Sequence, residues 1–217
     1  GWSIFFFFPL FRFHKSRHAR ADYHGAKSKA STHIEFMVVL VESVFLLGFA
    51  IPLWGKRVNG NQPDQDFNRI RVIAEQFSWN FHYSGKDGIF GRQRIELVTT
   101  ANPLGLDYTD PAAKDDLVVK NEVHIPVNKN VVFDISSKDV IHSFALKAMR
   151  IGQDATPGLV IPMWFKPIRT GSFEIVCGQL CGTNHYAMKG TLVVDTDEAF
   201  KEWQDEMAQL AASTQST

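Results

Sequence analysis

The feature that most constrains this chain is a nearly continuous apolar run from Phe36 to Trp54, FMVVLVESVFLLGFAIPLW. Only Glu42 and Ser43 interrupt it, and its length is close to the roughly 20 residues that a helix needs to cross a bilayer. The alternative is a helix buried in a soluble core, but such a helix normally carries one apolar stripe, whereas this run is apolar on all faces. The pattern therefore predicts a membrane-spanning helix at about residues 34–54.

A shorter apolar run, WSIFFFFPLF, lies at the start of the chain and is too short to cross a bilayer alone. A signal peptide is the alternative for this run, but a basic stretch follows it where a small-residue cleavage site would be expected. We therefore expect the end of an incomplete first helix. Residues 1–57 are then a membrane anchor in the form of a transmembrane helical hairpin.

The loop between the two apolar runs is strongly basic. It contains one acid, Asp22, against Arg12, Lys15, Arg17, Arg20, Lys27 and Lys29. Short loops rich in Lys and Arg normally stay cytoplasmic, so everything after Trp54 is predicted to be extracytoplasmic.

Charge and cysteine content exclude several classes of protein. Lys and Arg together number 23, as do Asp and Glu, so the balance gives no electrostatic reason to expect a nucleic-acid partner. The two cysteines, Cys177 and Cys181, are too few for the disulfide framework of a small secreted scaffold. No CxxCH occurs, so any haem that the chain serves belongs to a partner.

Residues 68–196 have the alternating pattern of β-strands. Apolar or small side chains recur at every second position, at Ile70, Val72 and Ala74, at Val131, Phe133 and Ile135, at Phe173, Ile175 and Cys177, and at Thr191 and Val193. We predict a mainly β domain, an antiparallel β-sandwich. A Gly-, Pro- and Asp-rich stretch at 84–116 is predicted to be a surface insertion.

The last segment, 197–217, is predicted to be a packing helix followed by a tail. Asp197 is a candidate N-cap, and Phe200, Trp203 and Met207 recur at helical spacing.

The segment CGQLCGTNHYAM places four soft or borderline metal ligands close together: Cys177, Cys181, His185 and Met188. Thiolate, imidazole and thioether together favour copper over calcium or magnesium. A weak Met ligand is typical of electron-transfer copper sites rather than of closed structural zinc sites.

Three interpretations of this segment remain open from the residues alone. A mononuclear copper site would use one cysteine and a second His, which His142 in DVIHSF can supply. A binuclear site would use both cysteines as bridges, with the Gln179 carbonyl completing the ligand set. A redox disulfide or chance occurrence would explain the two cysteines, but not their His and Met neighbours.

The same residues resemble the cytochrome c oxidase subunit II family, whose binuclear copper motif is CxxxCGxxHxxM. The resemblance extends to DVIHSF, to DATPG, to the aromatic strand EQFSWNFHY and to the preceding membrane helix, and so covers nearly the whole chain. It implies a cupredoxin-like β-sandwich at 68–196 behind the membrane anchor.

The resemblance also implies the ligand set. One copper ion would take His142 and Met188, and the other would take His185 and the Gln179 carbonyl, with Cys177 and Cys181 bridging both. Relatives often carry Glu at position 179, where it also helps to hold a magnesium ion at the subunit interface. A neutral amide is a weaker ligand for that ion, so a magnesium site is doubtful here.

Two further roles follow only from the resemblance. The family's aromatic strand usually reads Gln-Trp-x-Trp, with the first Trp where electrons arrive; in this chain that role would pass to Phe77 or Trp79. Glu35 aligns with an acid at the mouth of a proton channel into the catalytic subunit.

The function implied is that of subunit II of a bacterial haem-copper oxidase in the inner membrane, a multi-pass subunit with its copper domain on the periplasmic side. It would accept electrons from cytochrome c, or from a cytochrome c domain of another subunit. It would pass them to haem in subunit I, where oxygen is reduced to water with proton pumping. A quinol oxidase subunit lacks these ligands, nitrous oxide reductase needs a further large domain, and a thioredoxin-like copper chaperone carries its His far downstream of the cysteine pair.

Overall fold

The computed structural model describes residues 1–20, 23–24, 28–58 and 67–215. Two compact units divide the chain, Gly1–Gly60 and Asn61–Thr217. Asp22 and Lys27 of the predicted cytoplasmic loop, and the last residues of the predicted tail, lie outside the described residues.

The first unit is helical. It contains helix α1 (Trp2–Arg12), helix α2 (Ala30–Phe45), a π-helical segment (Leu46–Ala50) and helix α3 (Ile51–Val58). The π-helical segment ends two residues before Pro52, which has no N–H to donate to the preceding turn. Among the described residues, the continuous stretch Ala30–Lys56 is the one helix long and apolar enough to cross a membrane. The predicted span at 34–54 lies inside it.

The second unit is a sandwich of two five-stranded sheets, with strand orders β3-β2-β1-β5-β8 and β4-β10-β9-β6-β7. The strands are β1 (Phe67–Glu75), β2 (Ser78–Tyr83), β3 (Leu117–Lys120), β4 (Glu122–Pro126), β5 (Asn130–Ser137), β6 (His142–Leu146), β7 (Ile151–Ala155), β8 (Ile161–Phe165), β9 (Gly171–Cys177) and β10 (Lys189–Asp195). The predicted β-sandwich is confirmed. Most neighbouring strands are antiparallel, but β1 pairs with β5, and β4 with β10, in parallel.

Alternating apolar residues fill the space between the sheets. Ile70 and Val72 of β1 are fully buried and lie opposite Phe133 and Ile135 of β5 in register. The buried residues of β10 are Leu192 and Val194, whereas the sequence pattern predicted that Thr191 and Val193 would face the core. The predicted alternation therefore has the wrong phase. A run of apolar residues can present either alternate set inward, so the period alone does not fix the buried face.

The stretch at 84–116 is anchored rather than loosely attached. Asp116 is buried beside His82 of β2, with 2.6 Å between the carboxylate Oδ2 and the imidazole Nε2. The same oxygen accepts the backbone N–H of Gly91. Leu104 and Leu106 from this stretch are also buried.

Helix α4 (Asp197–Gln215) packs against the sandwich through Trp203, whose ring stacks on His124 at 4.3 Å and contacts Tyr83 at 5.3 Å. The side chain that caps the first turn is Thr196, which accepts the Ala199 N–H, and not Asp197 as predicted. Burial raises the pKa of the Tyr83 phenol well above its usual value, so this contact is neutral.

Candidate metal centre

Two neighbouring strands bring the predicted ligands together. His142 begins β6 and Cys177 ends β9, and these strands pair in antiparallel register with Phe144 opposite Cys177. The chain after Cys177 then turns through a short 3-10 helix at His185–Ala187 and enters β10 just after Met188. Residues distant in sequence therefore meet at one end of the sandwich.

The two thiols lie at the centre of this cluster. The Cys177 and Cys181 sulfurs are 3.8 Å apart, and both cysteines are free. The Cys177 sulfur lies 3.9 Å from Nδ1 of His142. The ligand atoms of these three buried residues all lie within 4.8 Å of one another.

The other donors lie around the same two sulfurs. The Cys181 sulfur is 3.5 Å from Nδ1 of His185 and 3.8 Å from the Met188 sulfur. The Cys177 thiol donates to the backbone carbonyl of Gln179 at 3.1 Å. All six predicted ligands thus converge, and the Gln179 side chain is exposed while its carbonyl faces the thiol.

The cluster is shielded from solvent. His142 and Met188 are fully buried, both cysteines are buried, and His185 is half-buried. Burial, together with the neighbouring Cys177 thiol, raises the pKa of Cys181 to about 11. In the metal-free protein the Cys181 thiol is therefore protonated at neutral pH, and a bound cation must displace its proton.

Asp139 orients the first histidine. Its Oδ1 lies 2.9 Å from Nε2 of His142, which leaves Nδ1 of that ring directed at Cys177. Carboxylate partners of this kind fix the ring orientation of metal-binding histidines. Burial alone would raise the pKa of Asp139, but hydrogen bonds from His142 and from the N–H groups of Gln76 and Val140 outweigh it and lower that pKa. Asp139 belongs to the DVIHSF motif, but the sequence pattern did not indicate that it orients His142.

The two aromatic candidates occupy different environments. Phe77 is half-buried, and its ring lies beside Gly182, where an added Cβ would come within 3.0 Å of it. Trp79 is fully buried and makes edge contacts with His142 and Phe144. Of these two rings, it is Phe77 that combines partial solvent exposure with proximity to the ligand loop. Glu35, the predicted proton-channel residue, is exposed in α2 of the first unit.

Residues 69–196 match the family model described as cytochrome c oxidase subunit II, periplasmic domain. The chain is 30% identical over 212 residues to alternative cytochrome c oxidase subunit 2 of Bradyrhizobium diazoefficiens, which covers 96% of this chain and 74% of that protein. It is 27% identical over 216 residues to cytochrome c oxidase subunit 2 of Cereibacter sphaeroides, covering 93% and 68%.

The sandwich is also similar to a solved structure, the periplasmic domain of subunit II of cytochrome oxidase of Bradyrhizobium japonicum. The TM-score is 0.50 at 29% identity, and the match covers 67% of this chain and 96% of that one.

Proposed function

Because this chain belongs to the cytochrome c oxidase subunit II family, we propose that it carries the binuclear copper centre of a haem-copper oxidase. The centre would accept electrons from cytochrome c, or from a cytochrome c domain, and pass them to haem in subunit I. There oxygen is reduced to water, coupled to proton pumping. The proposed ligands are His142, Cys177, Gln179, Cys181, His185 and Met188.

The observation that carries the proposal is the convergence of these donors on two free thiols 3.8 Å apart. The set contains two thiols, two imidazoles and one thioether, which suits copper and is poor for hard cations. A mononuclear site would leave one cysteine without a role, although both sulfurs have a His neighbour here. The donor set therefore fits a pair of copper ions.

When bound, the copper pair would supply reversible one-electron transfer. The protein's part is to hold the ligands still and dry. His142 is fixed by Asp139, and Met188 is fully buried, so little solvent has to reorganise around the site. Phe77 lies between solvent and the ligand loop and is the proposed point of electron uptake.

The strands on both sides of the ligand loop argue against a thioredoxin-like copper chaperone. Cys177 ends one strand and Met188 directly precedes the next, as in a sandwich, whereas α/β periodicity is expected around the cysteines of such a chaperone. A magnesium site at Gln179 has weak support, because the exposed side chain offers a single neutral oxygen.

The helical unit supports a proposal for the membrane and for the neighbouring oxidase subunits. We propose that the helix Ala30–Lys56 crosses the bacterial inner membrane beside subunit I and other oxidase subunits, with α1 as the end of a second span. The sandwich would then lie on the periplasmic side. Glu35 would be placed at the mouth of a proton channel.

Copper stoichiometry combined with electron paramagnetic resonance tests the proposed function. The full chain, purified in detergent, is loaded with copper and partly oxidised. Two copper ions per chain sharing one unpaired electron, with hyperfine splitting from both nuclei, is the expected result. One copper ion per chain, with splitting from a single nucleus, would replace the proposal with a mononuclear carrier.

A further inference from the structure

The turn between β1 and β2 touches both segments that carry the ligands. The backbone N–H of Gln76 donates to Oδ2 of Asp139 at 2.6 Å, and Oδ1 of the same carboxylate holds His142. The side-chain amide of Gln76 donates to the backbone carbonyl of Cys181 at 2.7 Å. One residue thus connects the His142 segment with the cysteine loop.

Close packing accompanies these hydrogen bonds. A Cβ added to Gly182 would lie 2.8 Å from Nε2 of Gln76 and 3.0 Å from the Phe77 ring. Gly182 also has a φ of +139°, a conformation that favours glycine. The ligand loop therefore fits tightly under the Gln76 and Phe77 side chains, which leaves little room for it to shift while both are in place.

Hydrogen bonds to a neighbouring carboxylate also stabilise the turn between β1 and β2. Glu75, directly before Gln76, accepts hydrogen bonds from Lys138 at 2.6 Å and from Ser78 and Asn80 at 3.0 Å. Burial would raise the pKa of Glu75, but these hydrogen bonds lower it, so the carboxylate stays ionised at neutral pH. Gln76 thus projects from a fixed turn rather than from a free loop.

From these contacts we propose that Gln76 is a positioning residue of the metal centre, which sets the place of the Cys181 thiol relative to His142. The inference rests on the proposed copper site for its functional meaning. Among the described residues, the Gln76 amide is the hydrogen-bond donor found for the Cys181 carbonyl. Without it, that carbonyl is released to water and the cysteine loop loses its direct side-chain tether to the turn.

The substitution that isolates this hydrogen bond is Gln76→Glu, because it keeps the shape and replaces the donor with a carboxylate that repels the carbonyl. Gln76→Ala removes the whole side chain and serves as the second variant. Gln209→Glu makes the same chemical change at an exposed position of α4 and is the matched control. All three are made in the full chain and purified in detergent.

The first measurement uses the metal-free chain and hydrogen exchange of the backbone amides at 178–188. Loss of one hydrogen bond of ordinary strength should accelerate exchange about tenfold in both Gln76 variants and leave the control unchanged. Exchange at the wild-type rate in both Gln76 variants would overturn the inference, whatever the copper content of the wild type. The proposed function fails separately, if the wild type does not bind two copper ions.

The second measurement uses the copper-loaded chain. Both Gln76 variants should keep two copper ions but show altered hyperfine splitting and about tenfold faster copper removal by a chelator. A role limited to overall stability would leave the splitting unchanged. Wild-type splitting together with wild-type removal rates would contradict a positioning role.

Discussion

At the scale of single residues, the proposed ligand set contains five side chains expected to bind copper and one residue, Gln179, expected to contribute only its backbone carbonyl. Cys181→Ser or Cys177→Ser replaces a soft thiolate with a hydroxyl that stays protonated, so the chain should bind at most one copper ion and lose the shared-electron signal. Gln179→Ala should keep both ions, because its carbonyl remains. Copper analysis with electron paramagnetic resonance checks both. Two copper ions retained by Cys181→Ser would exclude bridging by that cysteine.

The aromatic ring at position 77 gives a second prediction. Phe77→Leu keeps most of the volume beside Gly182 but removes the ring, so it should slow electron uptake from reduced cytochrome c severalfold at unchanged copper content. Phe77→Trp should preserve the rate if Gly182 accommodates it. Stopped-flow kinetics of the assembled oxidase measures both variants. A wild-type rate in Phe77→Leu would rule out the ring as the point of uptake.

The residues of the site differ in how well the sequence alone predicts their roles. Cys177, Cys181, His185 and Met188 stand close together in one loop, so their spacing and softness indicate a copper site without any structure. Gln76 is different, because the Asp139 carboxylate is 63 positions away and the Cys181 carbonyl 105. Contacts of that range depend on strand pairing, which the local pattern does not specify.

At the scale of elements, the buried pair of His82 and Asp116 is one of the contacts that anchor the insertion at 84–116, and it gives a third prediction. The His82 and Asp116 side chains are completely buried, so Asp116→Ala leaves Nε2 of His82 and the Gly91 N–H without their shared acceptor. The free energy of unfolding should fall by about 1 to 3 kcal/mol for each of these two buried donors. The matched control is Asp205→Ala, whose Lys86 partner is 80% exposed and whose loss should cost less than about 1 kcal/mol.

Denaturant unfolding followed by tryptophan fluorescence measures both variants. Equal losses from Asp116→Ala and Asp205→Ala would show that the buried pair does not fasten the insertion.

Sequence patterns predict whether a segment forms a strand better than they predict which strands pair with each other. The alternation in β1 and β5 correctly identifies strands with a buried face, since Arg71 separates Ile70 from Val72 and Asp134 separates Phe133 from Ile135. The apolar run of β10 does not distinguish its two faces, which explains the wrong phase there. The parallel pairing of β1 with β5 follows from how the chain crosses between sheets, and periodicity carries no information on that.

At the scale of the whole molecule, the predicted membrane helix would hold the proposed copper ligands on one side of the membrane, and the basic loop predicts which side. Ser16, in that loop, should face the cytoplasm, whereas Lys201, on the exposed face of α4, should face the periplasm. A membrane-impermeant maleimide should therefore label Lys201→Cys in intact spheroplasts and label Ser16→Cys only after the membrane is permeabilised. The unsubstituted chain, whose cysteines are buried, is the control. Labelling of Ser16→Cys in intact spheroplasts would reverse the orientation and place the proposed copper centre out of reach of a periplasmic cytochrome.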